Sequence, residues 1–363
     1  MRYLQLASAA LALTLTTLST APTLAQAQPA PRFNDVTLRV ATFPGTWAER
    51  VRSEVGAELA AQGIKLEFVP GTSAEFLAKL VAARGQPAPF DVVEIADENY
   101  NDFRAADFLK KLDLASIPNT RHLDKSLYDD YHIANWISQP AIVYNVDKFK
   151  EAGIAVPKRF TDLADPKLKG RVLVGDISVY ISYYEVTALA YENGGSEAKP
   201  EAGFDALKKI APHSATSAIA TVAQLFQSGD IWAAIWPAHI AVRLADAGVN
   251  VSAVHPAVKG KRVALARGYV GVVSNSTQQQ AAQVYINAIL ATKPQTRFYT
   301  ESGLTSVNNE VLQEASKLAA KDKAGVPFLR QEPSDIANAW WPDYSVINKR
   351  DWARSFQRAI ATQ

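Results

Sequence analysis

Apolar positions along this chain follow first the period of a strand and then that of a helix, repeatedly. Leu38 to Phe43 (LRVATF) is an apolar run of strand length followed by Gly45, after which Val51, Val55 and Leu59 recur at helical spacing as far as Gly63. Lys65 to Val69 (KLEFV) predicts a second strand, Phe76, Leu77, Leu80 and Val81 a second helix, and Asp91 to Ile95 (DVVEI) a third strand. Thr46-Trp47-Ala48-Glu49 and Thr72-Ser73-Ala74-Glu75 both have the T-x-x-E spacing of a capping box, in which a hydroxyl and a carboxylate each satisfy a backbone N–H at a helix start. Such alternation predicts a parallel α/β sheet with right-handed crossovers.

The pattern starts afresh near Lys148. Arg171 to Val174 predicts a strand, Ser178 to Tyr191 a helix and Thr221 to Phe226 another. A turn at Ser228-Gly229-Asp230 leads to a strand over Ile231 to Trp236, a helix over Ile240 to Ala247 and a strand over Val249 to Val254. Tyr269 to Val273 is a further strand, and helical patterns then continue to the end with a polar interruption at Lys321 to Lys323. A second α/β unit is expected. In open α/β sheets the ligand crevice lies outside the carboxyl ends of the strands, where helix N-termini also point. Thr42 to Trp47, Thr72-Ser73 and Ala96 to Asn99 occupy such places.

The length of 363 residues supports this division, because one hydrophobic core seldom grows past roughly 250 to 300 residues. With 48% apolar and 20% charged residues the chain is that of a globular protein, and a net charge of +2 gives no reason to expect nucleic acid. The absence of cysteine excludes disulfides, thiolate metal sites and thiol nucleophiles. Met1-Arg2, the apolar run from Leu4 to Leu18 and the small residues of Ala25-Gln26-Ala27 predict a signal peptide over residues 1–27, and hence an exported, periplasmic chain. Ser and Thr interrupt that run and Pro22 ends it, so a membrane anchor is not expected. No G-x-S-x-G, H-E-x-x-H or P-loop occurs, and the histidines at 122, 132, 213, 239 and 255 are scattered, so neither an enzyme, a metal nor a cofactor is expected. A periplasmic hydrolase remains the competing class.

Six stretches, in order, resemble the periplasmic spermidine/putrescine-binding proteins, within the broader extracellular solute-binding proteins that serve ABC importers. They are LRVATFPGTW, FDVVEIADENY, ANWISQPAIVYN, KLKGRVLVGD, QSGDIWAAIW and SGLTSVNNEV. The resemblance implies a two-lobed periplasmic binding protein fold (type II) of α/β class, with the ligand cleft between lobes joined by crossing strands near Val143 to Val146 and Tyr269 to Val272. It further implies a first lobe from residues 28–143 and 270–336, a second from 144–269, and a segment 337–363 packing on the second. The partners would be a small-molecule ligand, an inner-membrane ABC permease and its ATPase, with the protein a monomer.

By that resemblance Trp236 matches the tryptophan that stacks on the ligand, Phe43 or Trp47 the second cleft aromatic, and Asp176 an acidic ligand contact. Trp136 lies in the crossing segment, and Ser73 follows the second strand. Asp97 and Glu98 suit an ammonium group, to which aromatic faces would add about 0.5–2 kcal/mol each. The chain also departs from the polyamine pattern. Further acids are missing after Asp176, where the sequence reads Ile177-Ser178-Val179-Tyr180, and the Trp-x-Asp of the family aligns with Arg267-Gly268-Tyr269. An unpaired buried Arg would repel a diamine, so an anionic or zwitterionic ligand such as an amino acid, phosphonate or carboxylate, clamped by Arg267, competes with a polyamine-like amine.

Overall fold

The computed structural model describes residues 32–302, 304–318 and 332–361. The expected signal peptide and the polar stretch at 321–323 lie outside the described residues. Among the described residues ten strands form two sheets: β1 (Val36–Thr42), β2 (Ile64–Pro70), β3 (Val92–Ala96), β4 (Ile133–Ser138), β5 (Pro140–Asn145), β6 (Val172–Gly175), β7 (Ser214–Thr216), β8 (Ala233–Pro237), β9 (Val251–Val254) and β10 (Ala266–Val272). The first sheet has the order β2-β1-β3-β10-β4 and the second β7-β6-β8-β5-β9. The helices are α1 (Thr46–Ala61), α2 (Ser73–Ala82), α3 (Tyr100–Ala105), α4 (Val146–Ala152), α5 (Tyr180–Glu192), α6 (Glu201–Ile210), α7 (Ile219–Ser228), α8 (Ile240–Asp246), α9 (Gln279–Ile289), α10 (Thr292–Ser302), α11 (Asn309–Leu318), α12 (Pro333–Asn338) and α13 (Lys349–Ile360).

Local chemistry accounts for the element ends. At α2 the capping box forms: Thr72 Oγ1 accepts from the Glu75 N–H at 3.3 Å, and the Glu75 carboxylate accepts from the Thr72 N–H at 2.7 Å. At α1 it does not. Gly45, at φ 80°, takes the N-cap position, so Thr46 already lies inside the first turn.

The sheets exchange chain at a different residue from the one expected. β4 belongs wholly to the first sheet and β5 wholly to the second, so the chain passes between them at Gln139 rather than at Val143 to Val146. Residues 140–143 therefore belong to the second lobe. The return runs through residues 255–265, and all of β10, including Ala266 to Tyr269, belongs to the first sheet. One apolar core, built around Leu38, Phe76, Phe90, Ile95 and Tyr285, fills the first lobe. Two others flank the second sheet, one including Tyr184, Trp340, Trp352 and Phe356, the other Val222, Phe226 and Trp236. The C-terminal segment thus packs on the second lobe, through the apolar face of α13. No helix among the described residues is long and apolar enough to cross a membrane.

Candidate functional site

Strand direction places the two functional edges face to face. In the first sheet β1, β2 and β3 run parallel and β10 runs against β3 and β4. The carboxyl ends of β1, β3 and β4 and the amino end of β10 therefore share one edge. In the second sheet β6, β7 and β8 are parallel and β5 opposes β8. The carboxyl ends of β6 and β8 thus meet the amino end of β5. Because Gln139 alone separates β4 from β5, these edges confront each other across a cleft.

Aromatic rings form its inner wall. Trp136 on β4, only 8% exposed, has Phe43 edge-on at 6.0 Å and Tyr180 of the opposite lobe tilted at 6.0 Å. The Tyr180 hydroxyl donates to Ser138 Oγ at 3.1 Å, bridging the lobes. Burial raises its phenol pKa. Trp136 owes its aim to a slip of register: Gly268 pairs with Trp136 but Tyr269 pairs with Ala134, leaving Asn135 as a bulged extra residue. The indole then lies against the Gly268 backbone, so closely that a Cβ there would sit 2.0 Å from Trp136 Cε2.

Acidic groups form the second wall. Asp97 and Glu98, at the carboxyl end of β3, are each 5% exposed, and Asp97 Oδ1 and Glu98 Oε2 have no hydrogen-bond partner. Burial pushes the Asp97 carboxyl up to about 7, against the pull of Arg267. Glu98 is pushed up to about 8 by burial and by the neighbouring Asp97. Arg267 is already engaged. Its guanidinium donates to the Ser126 carbonyl at 3.0 Å, lies 3.9 Å from Asp97 and stacks at 4.4 Å on Trp341. Its Nε, the atom nearest Asp97, makes no hydrogen bond. Tyr269 is buried beside it, against His132 at 3.8 Å. Cavities of about 290 and 590 Å³ adjoin this acidic wall. Tyr344, 7% exposed and with its hydroxyl beside the Asp97 carboxyl, borders both.

Phe43, Asp97, Glu98, Trp136, Tyr180, Arg267 and Tyr269 therefore come together. The other candidates are occupied elsewhere. Trp47 turns into the first lobe, donating to Glu94 at 2.6 Å and lying 4.9 Å from Phe298. Ser73 accepts from the Ala96 N–H at 3.0 Å and so ties α2 to the end of β3. Trp236, 5% exposed, belongs to the apolar cluster of Ile181, Val222 and Phe226. Asp176 turns back on its own loop, accepting from the Ser178 N–H at 2.9 Å. Ser138, Trp341 and Tyr344 were not anticipated. Trp340-Trp341-Pro342-Asp343-Tyr344 is the aromatic-rich stretch that could have signalled the last two. Among the described residues no group of three or more His, Asp or Glu is placed to hold a metal ion.

Two α/β lobes presenting their binding edges to a shared cleft define a two-lobed periplasmic binding protein. The sequence profile of the bacterial extracellular solute-binding proteins matches residues 57–327, and the chain belongs to that family. An ABC transporter structure from Clostridium perfringens is 22% identical with a TM-score of 0.70, covering 89% of this chain and 99% of that one. The periplasmic binding protein AfuA of Actinobacillus pleuropneumoniae, with fructose-6-phosphate bound, is 16% identical with a TM-score of 0.68, covering 91% and 100%. MotA of A. tumefaciens B6, in complex with glucopine, is 18% identical with a TM-score of 0.69, covering 90% and 100%. These likenesses establish the two-lobed fold. No curated protein matches the sequence.

Proposed function

We propose that this chain is the periplasmic capture subunit of an ABC importer and that its cargo is a polyamine-like organic amine. The observation that carries the reading is the pair Asp97 and Glu98, both almost wholly buried, Glu98 with an oxygen that no hydrogen bond among the described residues satisfies and Asp97 with only the Tyr344 hydroxyl and Arg267 beside it. A buried carboxyl without a cation holds its proton, because desolvation penalises the charged form. An ammonium group entering the cleft would reverse that balance, releasing protons and satisfying the free oxygens. Phe43, Trp136 and Tyr180 supply aromatic faces suited to the same ligand. Arg267 does not stand against an amine, since the Ser126 carbonyl, Trp341 and Asp97 already surround its charge.

The Nε of Arg267, which makes no hydrogen bond and has the Asp97 carboxyl 3.9 Å away, favours a second reading, in which an anionic or zwitterionic ligand docks there. A thermal-shift and calorimetric screen of diamines, amino acids, phosphonates and carboxylates separates the two. Putrescine is expected to raise the melting temperature by mass action and to bind more tightly to Arg267→Ala, which unmasks Asp97. Stabilisation by carboxylates alone, abolished in Arg267→Ala, would establish the second reading instead. The ligand is recovered unchanged in either case; a product detected by mass spectrometry would instead make the chain a hydrolase. In the importer reading the protein works as a monomer and delivers its cargo to an inner-membrane permease and ATPase.

A further inference from the structure

The segment after α12, whose Ile336 is buried in the first-lobe core, crosses to the second lobe and reaches back across the cleft. At its start Trp340 is fixed at the hinge, donating its N–H to the Val263 carbonyl at 2.9 Å and accepting from the Leu265 N–H at 3.1 Å. Its ring packs on Tyr184 of the second lobe at 5.3 Å. Three side chains beyond it reach first-lobe groups: Trp341 covers Arg267, Tyr344, itself packed edge-on against Tyr183 of the second lobe at 6.2 Å, lies beside Asp97, and Lys349 forms an ion pair with Asp102 of α3. Immediately afterwards α13 is seated on the second lobe by Trp352 and Phe356. Such a path spans from the second lobe to the first beside the acidic wall, with the ion pair at its far end only part-buried.

We propose that residues 341–349 form a strap that latches the two lobes, with Lys349 and Asp102 as its catch and Tyr344 as its roof over the acidic wall. The catch is independent of what the cleft binds; the role of Tyr344 rests on the amine reading. Opening the lobes must separate Lys349 from Asp102, because each is carried by the core of a different lobe. A part-exposed ion pair biases such an equilibrium modestly and is weakened by salt. The Tyr344 hydroxyl, beside the Asp97 carboxyl at the edge of both cavities, is placed to bond a ligand held by Asp97 and Glu98.

The native chain has no cysteine, so thiols introduced by Glu58→Cys on α1 and Lys208→Cys on α6 can carry spin labels without competition. In the ligand-free, full-length chain, Asp102→Asn is expected to raise the open-to-closed ratio by about one-and-a-half- to fivefold at low salt. Added salt should shift the parent protein in the same direction and leave the variant unmoved. Exchanging the charges, with Asp102→Lys and Lys349→Asp together, should restore the closed distance. An unchanged distance distribution and salt response in Asp102→Asn overturns the catch. Tyr344→Phe should weaken putrescine binding without altering the lobe distances, and an unchanged affinity overturns the roof. If putrescine fails to bind the parent protein, the amine reading and the roof fall together, while the label distances still decide the catch.

Discussion

Gly268→Ala tests the inner wall most directly, because it adds one methyl group at a defined contact. The new Cβ would lie 2.0, 2.2 and 2.3 Å from Cε2, Nε1 and Cζ2 of Trp136. Non-bonded carbons normally rest about 3.5–4.0 Å apart, so the indole must retreat by about 1.5 Å. It has little freedom to do so: Phe43 stands edge-on at 6.0 Å, Tyr180 of the other lobe lies at 6.0 Å, and the bulge at Asn135 fixes the backbone behind it. Overpacking of this kind costs about 1–3 kcal/mol. At about 2–4 °C per kcal/mol for units of 150–250 residues, scanning calorimetry should register a fall of several degrees. Urea unfolding should show a lower midpoint with an unchanged slope. The displaced indole should also push Tyr180 away from Ser138, weakening ligand binding. A melting temperature within one degree of the parent, with binding intact, would mean that the indole is not held in place by this wall.

Two further outcomes follow from buried acids. Asp97 and Glu98 are raised in the folded state to about 7 and 8, from 3.8 and 4.5, so the stability they contribute is full below about pH 4 and lost as pH rises towards 8. The ligand-free protein should lose this contribution between those limits, whereas stabilisation by an amine should grow over the same interval; melting temperatures from pH 5 to 9, with and without putrescine, check both signs. Glu94, fully buried, accepts from Thr42 Oγ1 at 2.6 Å, Trp47 Nε1 at 2.6 Å and Tyr285 Oη at 2.7 Å. Glu94→Gln replaces one acceptor oxygen with a donor and strands at least one of these groups, at a cost of about 1–3 kcal/mol, read by chemical denaturation with a change in tryptophan emission.

The first sheet was legible because strands and helices alternate there with distinct periods and short turns. The exchange between sheets was not, because Ile133 to Asn145 is buried throughout and presents no polar face to mark where one sheet ends. Gln139 followed by Pro140, which suits the start of a strand, was the available cue. In the cleft, Asp97 and Glu98 were readable from the rule that ligands gather at carboxyl ends of parallel strands. The tryptophans were harder, since alternation decides the face: Ala233 and Ile235 turn to one apolar cluster, Ala234 and Trp236 to the other. Trp47 follows Glu94, a buried acid on β3 that lies 47 residues further along the chain. Tyr344 and Lys349 depend on a tail docking across both lobes, a long-range contact that no local pattern encodes.

Three stretches of chain run between the lobes, the third being the tail after α12, and the two at the hinge are unequal. One is a single residue, Gln139, held between two hydrogen-bonded ladders; the other is the looser run of residues 255–265, to which Trp340 adds its own backbone bonds. A door hung this way swings about one tight pin, while the longer connection merely pays out slack. Mutations that stiffen or lengthen the chain at residue 139 should therefore set how far and how fast the halves part, and insertions in 255–260 should be absorbed with little effect on that swing.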